Sequence, residues 1–185
     1  MTLKSDTRGK ILDAASRLFQ KQGYHATGLN EIIKVSGAPK GSLYYHFPAG
    51  KEELALEAIK LVSKIIQQNI ETGLSKIEDP AQSIQAFIKE LASHIQCDHF
   101  SVSLLALETS CISETLREAC DQAFESWITT YANKLIQGGF DKEKAQTLAR
   151  VIQLMVEGAL TISTAKKETT TLFIVAEQIP ILLKQ

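Results

Sequence analysis

The chain has little of what would mark it as an enzyme, a secreted protein or a membrane protein. Cysteine is scarce: Cys97, Cys111 and Cys120 are an odd number without framework spacing, which favours reduced thiols over a disulfide scaffold. No stretch approaches the roughly 18 consecutive apolar residues of a membrane helix. The longest runs, such as Val102 to Leu107, contain or border polar residues. The opening Met-Thr-Leu-Lys-Ser-Asp-Thr-Arg puts no apolar core behind its charges, so no secretory signal is expected, and the cytoplasm is the expected compartment. No alternating strand pattern, internal repeat or low-complexity linker is visible. No Ser/His/Asp or Cys/His arrangement suggests a nucleophile, and no glycine-rich loop matches a phosphate cradle, so no catalytic function is expected. His94, Cys97 and His99, with Cys111 further on, fit no closed zinc-site spacing, so neither metal nor cofactor is expected.

What is present is a soluble, globular composition: 185 residues, 44% hydrophobic and 22% charged. The net charge of −1 hides an asymmetry. Through Lys51 there are eight Lys/Arg against three acids, a balance of +5, while the remainder carries −6. A basic first quarter on an acidic body suggests that the N-terminal part faces a polyanion.

Apolar spacing reads as helix throughout. Ile11, Leu12, Ala15, Leu18 and Phe19 form a first stripe behind a candidate cap at Ser5 or Asp6, and Gly23 is a plausible stop. Thr27 is placed to cap a short second helix burying Leu29, Ile32 and Ile33. Ser36-Gly37-Ala38 is a tight turn, and Pro39 takes the first position of a third helix reaching about Tyr45. Pro48-Ala49-Gly50 separates it from a long fourth helix starting near Lys51. Further helices begin at Asp79-Pro80, Ser113 and Asp141, and a last one spans about 171–183, with Pro180 bending or ending it. The expected fold is all-α: a small three-helix domain over 1–51 and a larger helical body over 52–185.

The segment from Thr27 to Phe47 meets the needs of a helix-turn-helix, whose second helix lies in the major groove. Lys40 projects from the start of that helix toward a guanine edge or a phosphate. Gly41 permits close approach to the duplex, and Ser42, Tyr44, Tyr45 and His46 supply hydroxyl and ring donors for phosphate oxygens. Lys51 adds a cation at the start of the fourth helix. Phe47 reads as a core anchor. Lys4, Arg8 and Lys10 are divided between phosphate contact and solvent.

Lys40-Gly41-Ser42-Leu43-Tyr44-Tyr45-His46-Phe47, followed by Lys51-Glu52-Glu53-Leu54, resembles the signature of the TetR family of bacterial repressors. Ile11-Leu12-x-Ala14-Ala15-x-x-Leu18-Phe19-x-x-x-Gly23-Tyr24 and Thr27 match the same family upstream. Two details depart from its commonest pattern: Pro39 replaces a small polar residue, and three residues rather than two separate Phe47 from Lys51. Gly37-Ala38-Pro39 with Pro48-Ala49-Gly50, then Leu104-Leu105-Ala106-x-Glu108-Thr109-Ser110 and Glu114-x-Leu116-Arg117-x-Ala119-Cys120, is similar to the LmrA/YxaF-like subgroup.

The resemblance implies a homodimer on a double-stranded, near-palindromic operator, with Thr27, Pro39, Lys40, Gly41, Ser42, Tyr44, Tyr45, His46 and Lys51 toward DNA. It further implies a small aromatic or amphipathic effector, drug- or flavonoid-like, and control of efflux or detoxification genes. For the effector cavity the candidates are Phe87, Leu91, Phe100, Leu104, Leu105, Glu108, Phe124, Trp127, Tyr131 and Met155. For the dimer interface they are Val151, Leu154, Gly158, Ala159, Ile162, Leu172, Val175 and Ile179, because the last two helices carry more apolar surface than one buried stripe needs. An activator of the same fold, and a helical protein-interaction module with a degenerate DNA-binding end, are the alternatives.

Overall fold

A computed structural model of the chain describes residues 7–94 and 102–184. Every regular element among them is a helix: α1 (Thr7–Ala26), α2 (Leu29–Ser36), α3 (Lys40–His46), α4 (Lys51–Ser75), α5 (Pro80–His94), α6 (Val102–Thr109), α7 (Glu114–Gln137), α8 (Lys142–Lys166) and α9 (Thr170–Leu182). They form two compact units. The first holds residues 7–64 with 102–123, and the second holds 65–94 with 124–184. Division by compactness therefore does not fall at 51/52, since α6 and the start of α7 group with the N-terminal helices.

In the first unit, α1 buries Ile11, Leu12, Ala14, Ala15, Leu18 and Phe19 along one face. At Gly23 the helix breaks, with φ 80° and ψ 179°, a conformation that favours glycine. Thr27 does not cap α2. Its hydroxyl donates to the Gly23 carbonyl at 2.7 Å, and Gly28 occupies the cap position. Gly37, at φ 64°, ends α2 as a left-handed cap, and the Ser36 hydroxyl accepts from the Ala38 N–H at 3.3 Å. Pro39 precedes α3 as its N-cap rather than its first helical residue. The proline's fixed φ still suits that position, and its missing N–H costs nothing there.

α3 has seven residues, too few to be helical in isolation. It is held because Leu43 and Phe47, one turn apart, are fully buried with Ile32, Phe19 and Ile11. The Arg8 guanidinium stacks over the Phe47 ring at 5.1 Å and donates to Glu57 at 2.8 Å, joining α1, the end of α3 and α4. That contact holds the Glu57 carboxyl below its ordinary range.

In the second unit, α9 packs against α5 and α8. Leu172, Val175, Ala176 and Ile179 of α9 are buried, as are Ile84 and Ile88 of α5 and Ala149, Ile152 and Val156 of α8. Gly73 of α4 meets the Phe87 ring so closely that a Cβ would collide with it. Expected caps are present at Asp79, which accepts from Gln82 N–H at 2.8 Å, and at Asp141, which accepts from Lys144 N–H at 2.9 Å. Pro180 lies inside α9, which ends two residues later at Leu182. By length and composition α8 is apolar enough to cross a membrane. Its buried residues pack against α9, and Lys142, Glu143, Lys144, Arg150 and Glu157 punctuate it.

Removing the anchor of α3 should be costly. Leu43→Ala is expected to lower stability by about 2–5 kcal/mol, read as an earlier urea unfolding midpoint. A midpoint equal to the wild type would contradict this packing.

Candidate nucleic-acid interface

With Leu43 and Phe47 turned inward, the other side of α3 faces solvent. Lys40 and Gly41 are exposed, Tyr45 is 79% exposed and Tyr44 is 46% exposed. Ser42 and His46 are half-buried, and the Tyr45 and His46 rings meet edge-on at 5.0 Å. Nothing lies within 4 Å of where a Gly41 Cβ would stand, so the helix surface there is open. Solvent-facing aromatics beside a lysine carry hydrogen-bond donors toward a polyanion without using core positions. Val35, near the end of α2, is also 55% exposed, which was not anticipated from the sequence.

Two expected DNA contacts are placed differently. Thr27 is fully buried, and its hydroxyl is committed to Gly23. It shapes the junction between α1 and α2 rather than offering a hydroxyl to phosphate. Lys51 is folded back: its Nζ lies 4.4 Å from the centre of the Tyr24 ring and donates to the His25 carbonyl at 3.4 Å. Burial lowers the affinity of that ammonium for its proton, with the Glu108 charge acting in the opposite sense. Lys10 is exposed, Arg8 is engaged with Glu57 and Phe47, and Lys4 lies outside the described residues.

The candidate effector residues fall in both units. Phe87, Leu91, Phe124, Trp127, Tyr131 and Met155 belong to the second unit, whereas Leu104, Leu105 and Glu108 belong to the first. Phe100 lies outside the described residues. Within the second unit, Phe87 and Tyr131 have ring centres 6.5 Å apart, and Phe124 meets Trp127 edge-on at 5.5 Å. Trp127 and Tyr131 are buried, and Gln153 donates to Glu157 at 2.9 Å. Burial first, and then the Glu157 charge, push the Tyr131 phenol well above its ordinary range, so it stays a neutral donor. Phe87 and Leu91 also line a hollow of about 220 Å³ with Gly73, Thr72, Asn69 and Lys76.

Glu108 is not in that unit at all. Its carboxylate accepts from the Tyr24 N–H, and from the His25 N–H at 3.4 Å. A Cβ at Gly23 would stand 2.5 Å from Glu108 Oε1, so the glycine serves both the backbone turn and the carboxylate's approach. The signal in the sequence was a lone glutamate in an apolar run, and spacing alone could not say which helix it faced.

The dimer candidates divide as well. Leu154 is 72% exposed and Ile162 is 45% exposed, with Gly158 between them on the same face of α8. Ala159, Leu172, Val175 and Ile179 are instead buried inside the single chain by the packing of α8, α9 and α5. The exposed apolar residues of α9 are Phe173, Ile174 and Ile181, none of which was among the expected ones. Cys120 is buried, which pushes its thiol up to about 11 and leaves it a packing group, whereas Cys111 is exposed. Among the described residues no cluster of His, Cys, Asp or Glu is arranged to hold a metal.

A buried two-residue anchor behind an exposed basic and aromatic helix, preceded by a tight glycine turn, defines a helix-turn-helix DNA-binding regulator. Residues 11–58 match the model of the N-terminal domain of bacterial regulatory proteins of the tetR family, and 80–178 match the C-terminal domain of LmrA/YxaF-like transcriptional regulators. The chain is 49% identical to the HTH-type transcriptional regulator YxaF of Bacillus subtilis over 189 residues, covering 100% of this chain and 99% of that one. It is 49% identical to the regulator LmrA of the same organism over 184 residues, covering 97% and 98%. The chain belongs to the TetR family, in its LmrA/YxaF-like group. Among solved structures, a TetR regulator from Legionella pneumophila superposes with a TM-score of 0.83 at 25% identity, covering 99% of this chain and 100% of that one. Reduced Escherichia coli NemR, at 22% identity and TM-score 0.87 over 97% and 98% of the two chains, shares the fold.

Gly23→Ala is expected to lower the melting temperature, because alanine at φ 80°, ψ 179° costs roughly 1–3 kcal/mol and Glu108 must also move. An unchanged melting temperature would contradict the close approach of Glu108.

Proposed function

We propose that the protein is a ligand-responsive repressor that grips a near-palindromic operator as a two-fold dimer and releases it when a small aromatic or amphipathic molecule binds. The observation that carries this reading is the outward face of α3, where Lys40, Gly41, Tyr44 and Tyr45 stand exposed on a helix fixed from behind by Leu43 and Phe47. In such a dimer the two reading helices enter successive major grooves, roughly 34–36 Å apart. Lys40 supplies a base-edge or phosphate contact, and Ser42, Tyr44, Tyr45 and His46 supply phosphate donors. Residues 1–51 take the DNA-binding role and 52–185 the effector and dimerisation roles. A cytoplasmic location follows from work on DNA.

The second copy is proposed to dock on Leu154, Gly158 and Ile162 of α8 with Phe173, Ile174 and Ile181 of α9. Gly158 lets two helix backbones approach closely, and the flanking apolar side chains gain from leaving water. For the effector, the aromatic group Phe87, Phe124, Trp127 and Tyr131 offers ring faces, and Gln153 and Glu157 offer polar contacts. The hollow beside Phe87 is smaller than the roughly 300–1,000 Å³ of drug-sized sites, so an effector opens this packing when it binds. α4 contributes residues to both units, and a change in its axis is the proposed route from effector to reading helix. An effector preferring the DNA-free state by about 100-fold supplies about 2.7 kcal/mol of coupling. Membership of the LmrA/YxaF-like group supports efflux or detoxification genes as the targets.

Lys40→Ala is expected to weaken binding to selected operator DNA and to flatten its salt dependence by about one unit of slope. Equal affinity across a salt titration would remove Lys40 from the interface. Leu154→Arg is expected to halve the mass measured by sedimentation while far-UV circular dichroism stays unchanged. A dimer that survives Leu154→Arg would move the interface elsewhere. Flavonoid-like aromatics are expected to release the DNA in a band-shift assay, and their failure to do so would count against this effector class.

A further inference from the structure

The junction between α1 and α2 is gripped from two sides. Gly23 turns the backbone so that two successive N–H groups, those of Tyr24 and His25, point at one carboxylate, that of Glu108 near the end of α6. The His25 ring Nε2 lies 3.2 Å from the Glu108 backbone carbonyl, a third tie between the same two segments. On the other side, Lys51 of α4 donates to the His25 carbonyl and covers the Tyr24 ring. The buried Thr27 hydroxyl closes the turn onto Gly23, and α2 begins two residues later. Glu108 is half-buried, so its charge is held by directed donors rather than dissolved in solvent. Hydrogen bonds to a charged acceptor are the stronger kind, and they fix direction as well as distance.

We propose that Glu108 is a positioning residue for DNA reading: its carboxylate clamps the Tyr24–His25 backbone and so sets the orientation in which α2 and α3 leave α1. This inference rests on the reading of α3 as the DNA-contacting helix. Glu108 itself adds negative charge and makes no phosphate contact. Its loss therefore weakens operator binding without changing how many counterions the complex releases. A residue on α6 thereby controls the reading pair through the peptide groups that precede it.

The test compares full-length wild type, Glu108→Gln, Glu108→Ala and Lys40→Ala on DNA selected by the wild type. Glu108→Ala is expected to bind about 10-fold more weakly with the wild-type salt slope, whereas Lys40→Ala loses slope. Glu108→Gln, nearly isosteric and still an acceptor, is expected to recover part of the affinity. In nitrogen-15-labelled protein the Tyr24 and His25 amide protons are expected to move upfield in Glu108→Gln. Wild-type affinity in Glu108→Gln together with unmoved amide protons would overturn the proposal, whether or not Glu108→Ala folds. A reduced salt slope in either Glu108 variant would also overturn it, because it would mean a direct electrostatic role on DNA. A wild type that selects no DNA would instead defeat the reading of α3, and the amide shifts would still report whether the clamp exists.

Discussion

Everything functional in the N-terminal unit depends on one small act of burial, the removal of Leu43 and Phe47 from water on one side of a seven-residue helix. A helix that short has no stability of its own. Its direction is set by what it is packed against: α1 and α2, whose Ile11, Phe19 and Ile32 are fully buried, and the Arg8 guanidinium over the Phe47 ring. Gly41 and Tyr45, on the opposite side of the helix from Leu43 and Phe47, face outward, and Lys40 and Tyr44 are exposed beside them. The same constraint that stabilises α3 therefore composes its exposed surface.

A second constraint lies just upstream, where Gly23 stops α1. The positive φ there allows the Thr27 hydroxyl to fold back, Lys51 to cover Tyr24, and Glu108 to reach two backbone N–H groups. None of these side chains is on α3, yet all of them lie where the chain is aimed into the reading pair. In this unit polar side chains are spent on orientation, and apolar ones on cohesion.

Much of this was legible in the sequence because it is local. The 3.6-residue periods of Ile11 to Phe19, the Gly37 turn, the caps at Asp141 and Ser113 and the break at Gly138-Gly139 depend on neighbours within a few residues, and the structure has them. What was not legible is contact across the chain. Glu108 read as a polar group in an effector cavity because its run is apolar, but its partners are 83 and 84 residues away. Leu172, Val175 and Ile179 read as dimer surface because α9 is apolar nearly all round. Which face of such a helix turns inward is decided by α5 and α8, and the residues left outside are Phe173, Ile174 and Ile181. Thr27 had the right residue type for a cap, but the cost of burying an unpaired hydroxyl is met by the Gly23 carbonyl instead.

The exposed face of α3 is proposed to read DNA as one of two symmetric copies. Selection of bound fragments from a random duplex pool by the full-length protein tests it most directly. The expected result is enrichment of an inverted repeat whose half-sites are centred roughly one helical turn, or a small multiple of it, apart. A recovered pool with no motif beyond the starting composition would contradict it.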